Sequence, residues 1–195
     1  MTMTLWIVLG VVVAAAVFAI TAYNGFVALT QRTKEAWADI DVQLKRRYDL
    51  IPNLIETVKG YASHERETFD AVVAARAAAT QVHVDPSNIT PDQIAAMAGA
   101  EQALGGALGK LMAIAEAYPD LKANQNFGQL QTELSDTENK IQAARRFYNG
   151  NVRDLAIKLQ SFPSNVIGNM FGFKEMDLFE LEEGSEEREV VKVDF

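Results

Sequence analysis

The first thirty-one residues of this 195-residue chain carry no charged side chain. Within them, Leu5 to Tyr23 contains only Leu, Trp, Ile, Val, Gly, Ala, Phe, Thr and Tyr. A helix of nineteen such residues rises about 28 Å, the hydrocarbon thickness of a bilayer. Trp6 and Tyr23 stand near its two ends, where amphipathic rings favour the membrane interface. A cleaved signal peptide would have a basic start and a shorter apolar core, and Met1-Thr2-Met3-Thr4 supplies no Lys or Arg. The run is therefore expected to be a membrane anchor in contact with lipid over residues 5–23. Arg32 and Lys34 follow it, with Lys45, Arg46 and Arg47 further on. The Lys/Arg bias favours the cytoplasm for the C-terminal body of this single-pass chain. The opposite topology stays open.

Beyond the anchor the apolar period is near 3.5, and no period-two alternation is sustained. The first seam runs Trp37, Ile40, Leu44, Arg47, Ile51, Leu54, Val58, Tyr61, with Pro52 inside it. Gly60 and Ser63 mark a turn, Ser63 being a candidate N-cap. A shorter helix is expected over about Glu65 to Thr80, with Phe69, Val72, Val73 and Arg76 on one face. Asp85-Pro86-Ser87-Asn88 reads as a loop. Thr90, Pro91 and Gln93 then spell a capping box with proline at the first helical position. The third seam is Ile94, Met97, Glu101, Leu104, Leu108, Leu111, Ala115, Tyr118, and Pro119 ends it. Gly105, Gly106 and Gly109 weaken this helix and leave room for close backbone approach. A fourth helix follows Asn124-Gln125-Asn126, with a seam from Phe127 through Leu134, Ile141 and Tyr148 to Leu159.

These segments predict an all-α fold: a transmembrane helix continuing into an antiparallel, up-down four-helix bundle with coiled-coil-like seams. The expected divisions are an anchor over 1–25, the bundle over 26–163, an amphipathic apolar segment over 164–181 and an acidic tail over 182–195. Up-down topology returns Phe162-Pro163 to the bilayer beside Tyr23. The segment that follows is too short and too punctuated by Gly168 and Gly172 to span. Phe162, Val166, Ile167, Met170, Phe171, Phe173 and Phe179 are its candidate contacts with lipid or with a neighbouring copy. Packing on protein is favoured because the tail would be repelled by anionic lipid. Residues 174–195 hold nine acids and three bases, so most of the formal net charge of −8 lies there.

Little catalytic chemistry is on offer. The chain has no Cys and two His, which excludes disulfides, thiolate metal sites and Cys nucleophiles. The acidic balance argues against nucleic acid. His64-Glu65 is half of a zinc-protease motif, but Thr68 stands where the second His belongs. No G-x-S-x-G elbow or phosphate-binding loop is present. No catalytic residue, cofactor or metal is expected. More informative are Arg47 and Glu101, charges on apolar seams. A charge buried alone is costly, so the two are expected in one structural polar network, with Arg76 as a third member. The alternative is that their long stems lie on apolar surface and their heads stay wet.

Several blocks also resemble the LemA family. They are Glu35-Ala36-Trp37-Ala38-Asp39-Ile40-Asp41-Val42-Gln43-Leu44-Lys45-Arg46-Arg47-Tyr48-Asp49-Leu50-Ile51-Pro52-Asn53-Leu54, then Glu56-Thr57-Val58-Lys59-Gly60-Tyr61-Ala62, His64-Glu65, Ala117-Tyr118-Pro119-Asp120-Leu121-Lys122-Ala123-Asn124, Glu138-Asn139-Lys140-Ile141, Arg145-Arg146-Phe147-Tyr148-Asn149 and Phe162-Pro163-Ser164-Asn165. The likeness covers roughly residues 23–175, with the acidic tail outside it. It implies a bacterial membrane protein with one N-terminal span, a helical body and no established enzyme activity. It also points, weakly, toward membrane-protein quality control. The family pattern often repeats Tyr-Asn seven residues after the first pair, where Leu155-Ala156 stand here.

The expected function, resting in part on that resemblance, is thus a membrane-anchored oligomeric scaffold or adaptor at the bacterial inner membrane, without catalysis. The alternative is a binding module that recruits a protein partner, in membrane-protein quality control or signalling, through the bundle or the tail. Val190-Val191-Lys192-Val193 could add a strand to a partner's sheet.

Overall fold

The computed structural model describes residues 2–86 and 88–180. It is all-α, with no strand among the described residues. Six helices follow in order: α1 (Thr2–Lys59), α2 (Arg66–Gln81), α3 (Pro91–Ala117), α4 (Pro119–Lys122), α5 (Gln125–Gln160) and α6 (Ser164–Met170). The acidic tail and its strand-like end lie outside the described residues.

The anchor and the first body helix are one element. α1 runs 58 residues without a break, about 87 Å at 1.5 Å per residue. It crosses the boundary expected at residue 25, and Pro52 does not end it. From Met3 to Phe18 every side chain is exposed, as for a helix whose partner is lipid. From Ala22 onward one stripe is buried: Ala22 and Phe26, then, at alternating spacings of four and three, Thr33, Trp37, Ile40, Leu44, Arg47, Ile51, Leu54 and Val58. Tyr61, the last seam residue expected, is exposed at the turn.

α5 lies antiparallel against α1. Lys158 sits over Phe26, Tyr148 meets Trp37, Arg47 reaches Glu138, and Asn124 bonds Tyr61, so numbers fall along one helix as they rise along the other. α2 and α3 form a shorter antiparallel hairpin, tied at one end by the Tyr118 hydroxyl donating to Glu65 at 3.5 Å. This hairpin covers the outer part of α1, meeting it at Arg47 and Tyr48. The body is therefore a long two-helix hairpin with a shorter one laid against its far half.

Local signals explain most helix ends. Thr90 and Gln93 form the capping box and Pro91 opens α3. The Asn124 side chain accepts from Phe127 N–H and starts α5. One expectation needs correction. Ser63 does not cap α2, whose N-cap is Glu65 without a side-chain bond. Pro119 ends α3 but also begins α4, because proline suits the first turn of a helix.

The C-terminal segment divides in two. α6 packs against α1 and α5 through Ile167 and Gly168. A Cβ at Gly168 would lie 2.8 Å from Leu159 Cδ2 and 3.1 Å from Phe26 Cζ, so glycine is what lets α6 close in. Gly172 (φ 72°) then turns the chain through a conformation few other residues adopt. Residues 173–180 run extended along α5, back along the body from Phe26 toward Trp37.

Candidate functional site

Three places gather polar or aromatic chemistry. The first is a charge cluster inside the body. The Arg47 guanidinium pairs with Glu101 of α3 and donates to Glu138 of α5 at 2.8 Å. The Tyr48 hydroxyl donates to the other Glu101 oxygen. Arg47 and Glu101 are almost wholly buried, whereas the Glu138 side chain is 41% exposed. Three helices are thus tied at one level by one guanidinium. Burial pushes the Tyr48 phenol up to about 12, with Arg47 opposing the effect and the Asp41 charge adding to it.

Arg76 joins in a different way. Its Nε donates to the Tyr48 backbone carbonyl at 2.7 Å. That carbonyl lies four residues before Pro52, which has no N–H to offer it. The proline leaves a carbonyl without its helical partner, and a guanidinium from α2 takes the vacant place. Arg47, Glu101 and Arg76 therefore meet around Tyr48. The tyrosine and Glu138 fall in blocks that carry the LemA resemblance but were not expected in the polar network.

Beside this cluster a groove of about 460 Å³ opens between α3 and α5. Arg47, Glu101 and Glu138 lie at one part of it, with Leu108, Met112 and Leu134 forming apolar wall. Gly105 and Gly106 line it as well. A Cβ at Gly105, Gly106 or Gly109 would meet nothing within 4 Å. These glycines border open space, which corrects the expectation of close backbone approach.

The second place is a clamp on the C-terminal segment. Asn149 holds both backbone groups of Phe179, accepting from its N–H at 2.8 Å and donating to its carbonyl at 3.1 Å. The Tyr148 hydroxyl donates to the Asp177 carbonyl at 2.9 Å. The Phe179 ring is fully buried, edge-on to Trp37 at 5.3 Å and under Arg145 at 5.0 Å. Burial, with the Asp177 charge adding, pushes the Tyr148 phenol well above its usual range. Phe179 is thus a core residue of its own chain and not a contact offered outward. The same correction holds for Ile167, buried against Phe26, whereas Phe173, stacked on Phe26 at 5.0 Å, is half-buried.

The third place is the exposed remainder of that segment. Phe162 (83% exposed), Val166, Met170 and Phe171 point away from the body. Phe171 also meets Tyr23 edge-on at 4.8 Å. Elsewhere His64 and His83 are exposed, and no cluster of three potential metal ligands occurs among the described residues.

The model of the LemA family matches residues 36–195. This chain belongs to the LemA family. The match includes the acidic tail, which lies outside the blocks that carry the resemblance. The LemA blocks now have physical roles: Tyr148-Asn149 hold the C-terminal segment, and Tyr48, Pro52 and Arg47 organise the charge cluster. Leu155, where the family often repeats Tyr, is fully buried against Ala22 and Phe26. Curated relatives include two magnetosome MamQ proteins of Paramagnetospirillum magneticum, each 25% identical over 175 residues, 81% of this chain and 64% of theirs. Another is the protein LemA of Metamycoplasma hominis, 27% identical over 139 residues, 71% of this chain and 60% of that one. The chain thus spans less than two thirds of the length of these relatives. Neither the family description nor these names carry an enzymatic activity. The apolar N-terminal helix and the membership together make this LemA-family chain a membrane-associated protein.

Proposed function

We propose that this chain is a non-catalytic scaffold, anchored by residues 5–23 in the inner membrane with its body in the cytoplasm, that assembles as a homo-oligomer. The observation that carries the reading is the continuity of α1, which supplies both the apolar span and the central stripe of the body's core. A body built on the anchor helix itself keeps a fixed attitude to the bilayer. Identical copies then stand at one height and present the same faces to one another, which favours closed cyclic assembly. The polar cluster supports the same reading, since Arg47, Arg76, Tyr48 and Glu101 are engaged with one another and with backbone. Light scattering on the full chain in mild detergent tests the proposal. A single species of several copies is expected, and a monomer at every concentration refutes it.

A second reading, a module that recruits a protein partner, is favoured by the groove between α3 and α5. Deleting residues 182–195 separates tail from bundle. A partner lost while the oligomer persists assigns recruitment to the tail, and a partner retained assigns it to the bundle.

A further inference from the structure

We infer that α6 and the turn before it form a second membrane contact, an apolar foot resting in the headgroup region of the leaflet that α1 leaves.

The placement follows from depth along α1. α6 packs against Ala22 and Phe26, with Ala19 alongside. Those residues are the last turn of the apolar run and the turn after it. With Leu5 to Tyr23 across the hydrocarbon, that level is the boundary between acyl chains and headgroups. Val166 and Met170 are four residues apart on one helix face and outward, whereas Ile167 and Gly168 pack inward. Phe162 and Phe171 flank them, exposed by 83% and 56%. Phe171 touches Tyr23, so the foot continues the apolar surface of the span without a gap.

Charge agrees with this occupant. Between Asp154 and Lys174 the sole charged side chain is Lys158. Its ammonium lies over the Phe26 ring at 4.8 Å, where an exiting helix would meet phosphate. Acidic residues so close in sequence would oppose lipid contact. Glu175 stays near this level, where its carboxylate accepts from Gln160 at 2.9 Å and Lys174 precedes it in the chain. The extended run carries Asp177 and Glu180 away, Phe179 being anchored at Trp37, fourteen residues beyond Tyr23. That places Glu180 about 20 Å up the body, more than a Debye length from the foot. A short amphipathic element lying in the interface is a known mode of membrane contact. A span and a foot give two points of attachment, which fix the body's rotation as well as its position.

The chain contains no Cys, so one engineered thiol can carry an environment-sensitive fluorophore. Full-length Met170→Cys, Phe162→Cys and, as a distal control, Val73→Cys are each labelled. They are reconstituted in vesicles of phosphatidylcholine and phosphatidylglycerol that contain doxyl-labelled lipid. The expected result is that emission from positions 170 and 162 is blue-shifted and falls to about half with doxyl groups near the headgroups, while position 73 is unaffected. Equal, weak quenching at all three sites overturns the inference. So does a blue shift at 170 and 162 that resists doxyl quenching and disappears on diluting protein in lipid, because a neighbouring copy would then cover the face. The oligomer measurement is independent of both outcomes.

Discussion

Replacing Arg76 by Ala removes a charged donor from the Tyr48 carbonyl, which Pro52 has already deprived of its helical partner. A bond from a charged donor is worth about 1.5–3 kcal/mol, and a carbonyl left bare in a buried place costs about as much. Arg76→Ala should therefore destabilise the fold by about 2 kcal/mol. Pro52→Ala supplies the missing N–H four residues on, and it also relieves proline in a helix interior, worth up to about 3 kcal/mol. In that background Arg76→Ala should cost under about 0.5 kcal/mol, a coupling above about 1 kcal/mol. Denaturant unfolding of the four full-length proteins in one detergent, followed by helical circular dichroism, gives the cycle. Additive costs would refute the exchange of a backbone donor for a guanidinium. So would a loss of stability on adding Pro52→Ala to Arg76→Ala.

Other consequences are as direct. Arg47→Leu strands Glu101, whose side chain is 2% exposed, and should cost about 3–5 kcal/mol, whereas Arg47→Leu with Glu101→Leu should recover most of it; unfolding midpoints decide, and a double variant no better than the single one contradicts the pairing. Phe179→Ala should cost up to about 3 kcal/mol, largely by releasing residues 173–180, so amide exchange at 177–179 accelerates and Trp37 becomes open to acrylamide. Unchanged exchange there counts against the clamp. The Tyr48 phenol has a higher pKa folded, about 12, than unfolded, about 10, so its contribution is full below pH 10 and is lost as pH rises toward 12. Tyr48→Phe should flatten that alkaline loss by up to about 2 kcal/mol, and Tyr148, also pushed up by burial, adds to the loss at higher pH. For topology, an impermeant thiol reagent should label His83→Cys, exposed in the α2–α3 loop, only after the cells are opened. Labelling of intact cells would place the body outside.

The helices were legible because burial repeats at the helical period, and the stripe from Trp37 to Val58 is the one the spacing marks. Thr90, Pro91 and Gln93 were legible because a capping box is a local signal read within four residues. Glu138 was not, since it lies off the α5 seam between Thr137 and Ile141. Periodicity records the side a residue occupies and not how far its carboxylate reaches. Tyr48 was hidden for a related reason, sitting next to a charge on the seam itself. Phe179 was read as an outward contact because residues 173–180 have no helical period, and their place is set by Asn149 and Tyr148, some thirty residues earlier. The groove glycines show the converse. Their composition suggests tight packing, but only the neighbouring helix decides whether the space beside a glycine is filled.

That an anchored body works as an assembly of identical copies is tested most directly in the membrane itself. The full chain carrying one fluorophore at position 83 can be placed in supported bilayers at low density and its bleaching steps counted. A fixed number of steps above one is expected in each spot, unchanged as density falls. Single-step bleaching throughout would contradict the assembly.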